Sequence, residues 1–151
     1  MLTINQNTIN ELLDRIRNLY LADHIPWVIG YSGGKDSTAT LQLVWQALEE
    51  LQGEERQHKP VHVISTDTLV ESPGVVAWVN RSLERISAAA LKKQLPIQAH
   101  RLTPKVNDSY WVNLIGRGYP APRPQFRWCT VRLKITPSND FIKNVIANHG
   151  E

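Results

Sequence analysis

Residues 32–37, Ser-Gly-Gly-Lys-Asp-Ser, decide the fold and are called the glycine loop below. They follow the apolar run 27–31 and precede residues with helical spacing that begin near Thr38. A strand, a glycine-rich turn and a helix form a site for phosphate, because glycines let backbone N–H groups approach an anion and the helix N-terminus has unpaired donors. The alternative is a glycine turn that binds no ligand.

The side chains of the glycine loop suit the same ligand. Lys35 adds a full positive charge, Ser32 and Ser37 are hydroxyl donors, and Asp36 can hold Mg²⁺. The loop is not a Walker A motif, because Gly30 and Gly34 are one position too close and the lysine is followed by aspartate.

The glycine loop resembles the S-G-G-x-D-S signature of the PP-loop ATP pyrophosphatase superfamily. That resemblance implies cleavage of ATP between the α and β phosphates, transfer of AMP to a substrate oxygen and release of pyrophosphate. It implies that the loop binds ATP through Ser32, Gly33, Gly34, Lys35, Asp36 and Ser37. Lys35 and Asp36 would then also be catalytic.

Composition limits the class of protein. The chain has 151 residues with 42% hydrophobic content, which predicts one domain with a real core. The single cysteine excludes an internal disulfide and a four-cysteine cluster made by this chain alone, and it favours a reducing compartment. The N-terminus has no signal-peptide pattern and no apolar run approaches a membrane span, so we expect a cytoplasmic protein.

Charge is distributed unevenly along the chain. Residues 92–134 contain nine basic residues and one acid, Asp108, whereas the remainder contains eight basic residues and thirteen acids. This asymmetry favours a polyanionic partner for the second half, with a solvated basic surface as the alternative.

Hydrophobic periodicity predicts helices over 7–22, 38–51, 73–93 and 137–147, and strands over 26–31, 61–65 and 96–102. Residues 103–125 are rich in proline and glycine and predict a long loop, with a short helix over 108–115. The order of elements predicts an α/β fold, a parallel sheet with helices on both faces. After the second strand, Asp67 and Glu71 are candidates to bind Mg²⁺ or a ribose hydroxyl, and helix capping is the alternative.

Residues 127–137 form a second motif. Arg127, Arg132 and Lys134 are cations that suit phosphate oxygens, with Phe126 and Trp128 nearby as stacking surfaces. Cys129 has cations on both sides, so a reactive thiol and a small buried thiol both remain open. The basic residues would otherwise belong to a solvated strand or helix start.

This motif resembles the Cys-Cys-x-x-Arg-Lys segment of sulfonucleotide (PAPS) reductases, with one cysteine of the pair present. It is more similar to DndC, the C subunit of the Dnd DNA phosphorothioation system, which is a PAPS reductase-like branch of the superfamily. The similarity includes Trp128-Cys129-Thr130 with Arg132-Leu133-Lys134, preceded by 110–113 (Tyr-Trp-Val-Asn) and 118–122 (Gly-Tyr-Pro-Ala-Pro). It runs from about Ile9 to Ile142.

The DndC resemblance implies an ATP pyrophosphatase that activates DNA phosphate for sulfur incorporation, as part of bacterial defence. It implies ATP and Mg²⁺, DNA as a partner, and a cysteine desulfurase and other Dnd proteins beside it. It also implies Asp36 and Asp67 as Mg²⁺ ligands, Arg127 as an ATP contact, and Arg132 and Lys134 as catalytic. Such proteins are longer and carry an iron–sulfur cluster, so we expect residues 1–151 to be the PP-loop domain at the N-terminal part of a longer protein.

Two other functions stay open. A sulfonucleotide reductase requires a nucleophilic cysteine, usually in a C-terminal tail, and the sequence ends without one. A truncated, non-catalytic module that binds nucleotide, DNA or a Dnd partner would bind ATP without turnover.

Overall fold

The computed structural model describes residues 5–149, and strands alternate with helices through its first two thirds. The elements are α1 (Gln6–Leu21), β1 (Trp27–Gly30), α2 (Lys35–Glu50), α3 (Gly53–Arg56), β2 (Val61–Thr66), α4 (Pro73–Lys93) and β3 (Ile97–Leu102). The predicted strands agree with these bounds to within a residue, and α4 has the predicted bounds. α2 begins three residues earlier than predicted, so the second half of the glycine loop is the first helical turn.

The segment after β3 contains more helix than its sequence predicts. A 3-10 turn (Val106–Asp108) and a π turn (Val112–Gly116) lie in the predicted loop. One continuous helical run then follows, made of α5 (Trp128–Thr130), a π turn (Val131–Ile135) and α6 (Thr136–His149). The last α-helix, α6, begins one residue before the predicted residue 137, whereas the helical turns from Trp128 to Ile135 that lead into it are not predicted. Pro137 is the second residue of α6, and the first turn of an α-helix tolerates proline.

The three strands form one parallel sheet in the order β1-β2-β3, which confirms the predicted α/β class. The backbone hydrogen bonds that set its register include Trp27 N–H to Pro60 O at 3.0 Å and Asp67 N–H to Leu102 O at 2.8 Å. β2 is buried through five of its six residues, as expected for a central strand covered by helices.

The described chain divides into two compact units. The first contains residues 5–63 and 84–99, and the second contains residues 64–83 and 100–149. The first unit has eight basic and nine acidic residues, whereas the second has nine basic and four acidic residues, a formal charge of +5.

In the first unit, α1 and α2 pack together through apolar faces. Asn5 caps α1, its side chain accepting a hydrogen bond from Thr8 N–H at 2.9 Å. Tyr20 is fully buried and its hydroxyl donates to the carbonyl of Lys59 at 2.7 Å. The buried Lys59 ammonium lies 2.6 Å from Asp23 Oδ1, and this hydrogen bond lowers the pKa of Asp23.

None of the helices within residues 5–149 combines the length and the apolar content that crossing a bilayer requires.

Candidate functional site

The glycine loop joins the end of β1 to the start of α2 in the first unit. Gly33 has φ of +75°, a left-handed conformation that glycine adopts without steric cost. Gly34 is the N-cap of α2 in an extended conformation, and no side chain of the described residues caps this helix. The N-terminus of α2 therefore has no side-chain cap among the described residues.

Hydroxyl groups close the glycine loop on itself. The Ser37 hydroxyl donates to the Gly34 carbonyl at 3.0 Å, and the Ser32 and Ser37 hydroxyl oxygens lie 3.2 Å apart. Since the Ser37 proton is used on Gly34, Ser32 is the donor to Ser37 and accepts from Gly34 N–H at 3.3 Å. The two serines predicted to bind phosphate are thus brought together, and an incoming anion would exchange for one of these hydrogen bonds.

The start of α2 provides donors for an anion. The first intrahelical bond runs from Thr38 N–H to Gly34 O at 3.0 Å, so the N–H groups of residues 35–37 precede the helical ladder. Lys35 and Asp36 are both exposed at this end. Three free amides, the positive end of the helix dipole and a lysine form an arrangement suited to polyphosphate.

Magnesium fits one of the two predicted ligands better than the other. Among residues 5–149 no group of three or more His, Cys, Asp or Glu could hold a metal by itself. Mg²⁺ usually binds through one or two carboxylates together with substrate phosphates, and the exposed Asp36 at a polyphosphate site meets that description.

Asp67 lies in the second unit, and its carboxylate is already engaged. One oxygen accepts from Leu69 N–H at 2.8 Å, and the other accepts a hydrogen bond from the Arg101 guanidinium. Its side chain is only 8% exposed, so binding of Mg²⁺ would require the Arg101 ion pair to open. Thr68 donates to Glu71 at 3.2 Å, a bond between two side chains that does not test the capping alternative.

The motif at 127–134 is helical from Trp128 onward. Arg127 is the N-cap residue, and Arg127 and Lys134 are exposed. Cys129 is a free, partly buried thiol. It is the one cysteine of the chain, so these residues do not fit a four-cysteine iron–sulfur cluster by themselves.

Arg132 is the cation of this motif that the structure holds in place. Its guanidinium donates to Asp108 at 2.6 Å and to the Tyr119 hydroxyl at 3.0 Å, and it lies over the Tyr119 ring at 5.3 Å. The hydrogen bond to Asp108 raises the pKa of Arg132. Asp108 was noted in the sequence only as the single acid of a basic segment, so its role as the partner of Arg132 was missed.

A cleft of about 500 Å³ lies at the carboxyl end of β3 in the second unit and is called the cationic cleft. Its charged lining residues are Arg101, Lys105, Arg132, Lys143, Asp108 and Asp140. Lys105 and Asp140 form an ion pair at 2.7 Å, which raises the pKa of Lys105 and lowers that of Asp140. The uneven charge of residues 92–134 was the only signal in the sequence for this cleft, and Lys143 lies outside that range.

A second cleft of about 590 Å³ is lined by Tyr119, Phe126, Trp128 and Val131 and is called the aromatic cleft. Trp128 is held by its indole N–H, which donates to the Pro120 carbonyl at 3.0 Å, and by stacking on Tyr110 at 5.6 Å. Phe126 pairs with Arg123 through two backbone hydrogen bonds that close a tight turn.

The predicted site residues therefore fall into two groups. The six residues of the glycine loop lie together in the first unit. Asp67, Arg127, Cys129, Arg132 and Lys134 lie in the second, where Arg132 and the Arg101 partner of Asp67 both line the cationic cleft.

No model of a known protein family matches the chain, and no curated protein matches it. Among solved structures it is similar to the U34-tRNA thiolase NcsA from Methanococcus maripaludis with its [4Fe-4S] cluster, at 12% identity and a TM-score of 0.50, over 92% of this chain and 44% of the thiolase. A phosphoadenylyl-sulfate (PAPS) reductase from Candida auris in a phosphate complex has 16% identity and a TM-score of 0.46, over 95% of this chain and 65% of the reductase.

The chain thus spans less than half the length of the thiolase and less than two thirds of the reductase. The likeness to the thiolase shows that this chain shares its α/β fold.

Proposed function

We propose that this chain is the ATP-cleaving domain of a PP-loop enzyme that activates a DNA phosphate for replacement of oxygen by sulfur. The observation that carries the proposal is the glycine loop. It brings together a left-handed glycine, a helix N-terminus that no described side chain caps, and an exposed lysine. The absence of a Walker A spacing favours cleavage at the α–β position over the β–γ position.

The proposed reaction is an in-line displacement at the α-phosphorus of ATP. A non-bridging oxygen of a DNA phosphate forms a bond to that phosphorus while the bond to the α–β bridging oxygen breaks. The electron pair of the broken bond leaves with pyrophosphate, and AMP remains attached to the DNA phosphate. The protein contributes position and electrostatics rather than covalent chemistry.

Each group of the glycine loop has a part in that displacement. The amides of Gly34 and of the first turn of α2 hold the pyrophosphate portion, with Ser32 and Ser37 donating to its oxygens. Lys35 stabilises the negative charge that develops on the phosphates. Asp36 would hold Mg²⁺, which when bound neutralises charge on the leaving pyrophosphate.

DNA is proposed as the acceptor because the second unit has a net positive charge. The described part of the second unit carries +5, and phosphate contacts dominate the affinity of proteins for nucleic acid. Arg127, Arg132 and Lys134 supply cations to the DNA backbone or to the α-phosphate. A cysteine desulfurase and other Dnd-type proteins would supply the sulfur, and any iron–sulfur cluster would rest on cysteines outside this chain.

The experiment is to incubate the protein with α-labelled ATP and Mg²⁺, with and without DNA, and to separate the products. We expect AMP and pyrophosphate, with label attached transiently to DNA. ADP and phosphate as products would overturn the proposal, and ATP binding measured by calorimetry with no turnover would favour a non-catalytic binding module.

Lys35→Ala tests whether turnover comes from the glycine loop. Loss of one transition-state contact of this kind lowers kcat by about a hundredfold or more. Lys92→Ala is the matched control, because it removes an exposed lysine at the far end of α4 and should leave turnover unchanged. Equal activity of the two variants would place the reaction elsewhere.

A further inference from the structure

The cationic and aromatic clefts of the second unit are neighbours. Asp108, Arg132 and Thr136 line both, so the two volumes meet at a shared wall. Each volume is in the range of about 300–1000 Å³ that small-molecule sites occupy. One side of the wall presents cations, which suit the phosphate of a nucleotide. The other side presents aromatic rings, which suit its base.

Arg132 stands at the shared wall with donors to spare. Its contacts to Asp108 and Tyr119 fix the guanidinium, and they use two of its five N–H groups. The side chain keeps 30% of its surface exposed. A fixed, partly exposed guanidinium is suited to bind one phosphate oxygen at a defined position.

The cationic cleft has a net positive charge, because its basic side chains outnumber its acidic ones. Four basic and two acidic residues line it, and within residues 5–149 no ion pair includes Lys143. The ion pairs of Arg101, Lys105 and Arg132 hold these side chains in place, while Lys143, whose charge also acts on Asp140, is exposed to an approaching anion.

The aromatic cleft offers one ring for stacking. Phe126 is 41% exposed, while Trp128, which lines the same cleft, is buried and held by two contacts. A base that is paired within a duplex already has stacking partners above and below, whereas an unpaired base can stack on an exposed ring.

From these observations we infer that the two clefts together bind one unpaired nucleotide of a nucleic-acid strand. The phosphate lies in the cationic cleft against Arg132 and Lys143, and the base stacks on Phe126. This inference rests on the proposed function and deepens it, because it specifies that the acceptor phosphate belongs to single-stranded or locally opened nucleic acid rather than to intact duplex.

The test is a binding titration of the full chain, without ATP, against labelled oligonucleotides of one sequence as single-stranded DNA, single-stranded RNA and duplex DNA. We expect either single strand to bind about tenfold or more tightly than duplex, since stacking of each base strengthens binding by roughly that factor. The comparison of DNA with RNA identifies the sugar. Duplex binding as tight as single-strand binding would overturn the inference.

Two variants separate the base from the phosphate. Phe126→Ala should weaken single-strand binding about tenfold and leave duplex binding unchanged. Lys143→Ala should weaken both and lower the salt-dependence slope by about one. Both side chains are exposed, and circular dichroism would verify that the variants fold.

Trp78→Ala and Arg81→Ala are the matched controls, because they remove an exposed aromatic and an exposed cation of α4 that line neither cleft. If Phe126→Ala behaves like Trp78→Ala, the inference fails. This titration contains no ATP, so it is independent of the turnover assay. Products of ADP and phosphate in the turnover assay would refute the proposed reaction and leave the strand site intact. Equal binding of duplex and single strand in the titration would refute the strand site and leave the proposed reaction intact.

Discussion

Gly33 is the residue on which the shape of the glycine loop depends most directly. Its φ of +75° is costly for any residue with a Cβ atom, whereas Gly34 has φ of −74°. A Cβ atom added at Gly34 would meet Ser32 Oγ at 3.4 Å, an ordinary contact. Gly33 is therefore required by its backbone conformation, whereas the backbone conformation of Gly34 would accept another residue.

This difference gives a matched pair of variants. Gly33→Ala should lower the free energy of unfolding by about 1 kcal/mol, because alanine disfavours the left-handed conformation. Gly34→Ala should change it by less than about 0.5 kcal/mol while weakening ATP binding, since a methyl group would stand where phosphate approaches the amide. Urea denaturation and calorimetry with ATP measure the two effects, and equal destabilisation by both would contradict the assignment.

The Tyr20 hydroxyl stabilises the fold through hydrogen bonds to the backbone of Lys59. The hydroxyl O–H donates to Lys59 O, and its oxygen accepts from Lys59 N–H at 3.1 Å, in a fully buried position. Tyr20→Phe should cost about 1–3 kcal/mol of stability, because it leaves buried backbone groups without a partner. Thermal denaturation measures this, and Tyr110→Phe, which changes a partly buried tyrosine, is the comparison. A loss below about 0.5 kcal/mol would mean that water replaces the hydroxyl.

At the scale of elements, the long segment after β3 is organised by one buried amide. The Asn113 side chain donates to the carbonyls of Asn107 and Ser109 at 3.2 and 2.8 Å and accepts from Arg117 at 3.3 Å. Its own carbonyl accepts from Tyr119 N–H at 3.0 Å. A segment rich in proline and glycine is thereby held in one conformation.

Asn113→Ala should loosen this segment. We expect a loss of about 2 kcal/mol in stability and faster proteolysis within residues 105–125, because three side-chain hydrogen bonds disappear from a fully buried site. Limited proteolysis followed by mass spectrometry locates the cut. Asn139→Ala, at an exposed position of α6, is the control, and equal cleavage of the two variants would contradict the role of Asn113.

The sequence predicts elements well where one physical signal dominates. The three strands have clear apolar patterns, and α4 has such a pattern together with a proline in its first turn. All four elements are found within a residue of their predicted ends. The start at Trp128 was missed because the turn at 131–135 breaks the periodicity. Asp108, Tyr119 and Lys143 were missed as site residues because only the tertiary fold brings them beside Arg132.

For the whole molecule, lowered carboxylate pKa values connect stability to pH. Hydrogen bonds from Lys59, Lys93 and Lys105 lower the pKa of Asp23, Glu49 and Asp140 respectively. A lowered folded-state pKa gives stability that is present above the ordinary value, 3.8 for aspartate, and is lost as pH falls through the folded-state value.

We therefore expect the free energy of unfolding to decrease as pH falls below about 4. Urea unfolding across the acid range measures the slope, and Asp23→Asn and Asp140→Asn should each make it shallower. Asp140 is 40% exposed, so its contribution should also shrink at high salt. A slope unchanged in both variants would mean that other carboxylates control acid unfolding.

The π turn Val131–Ile135 holds one residue more per hydrogen-bonded ring than an ordinary α turn. In effect the chain carries an insertion of a single residue inside a helix, absorbed without breaking it. Related chains that lack this residue should align with a one-position gap at 131–135 and with unbroken helical phase on both sides. Deleting Val131 in this chain should likewise keep the helix while changing the direction of the Arg132 side chain, and so weaken its contacts with Asp108 and Tyr119.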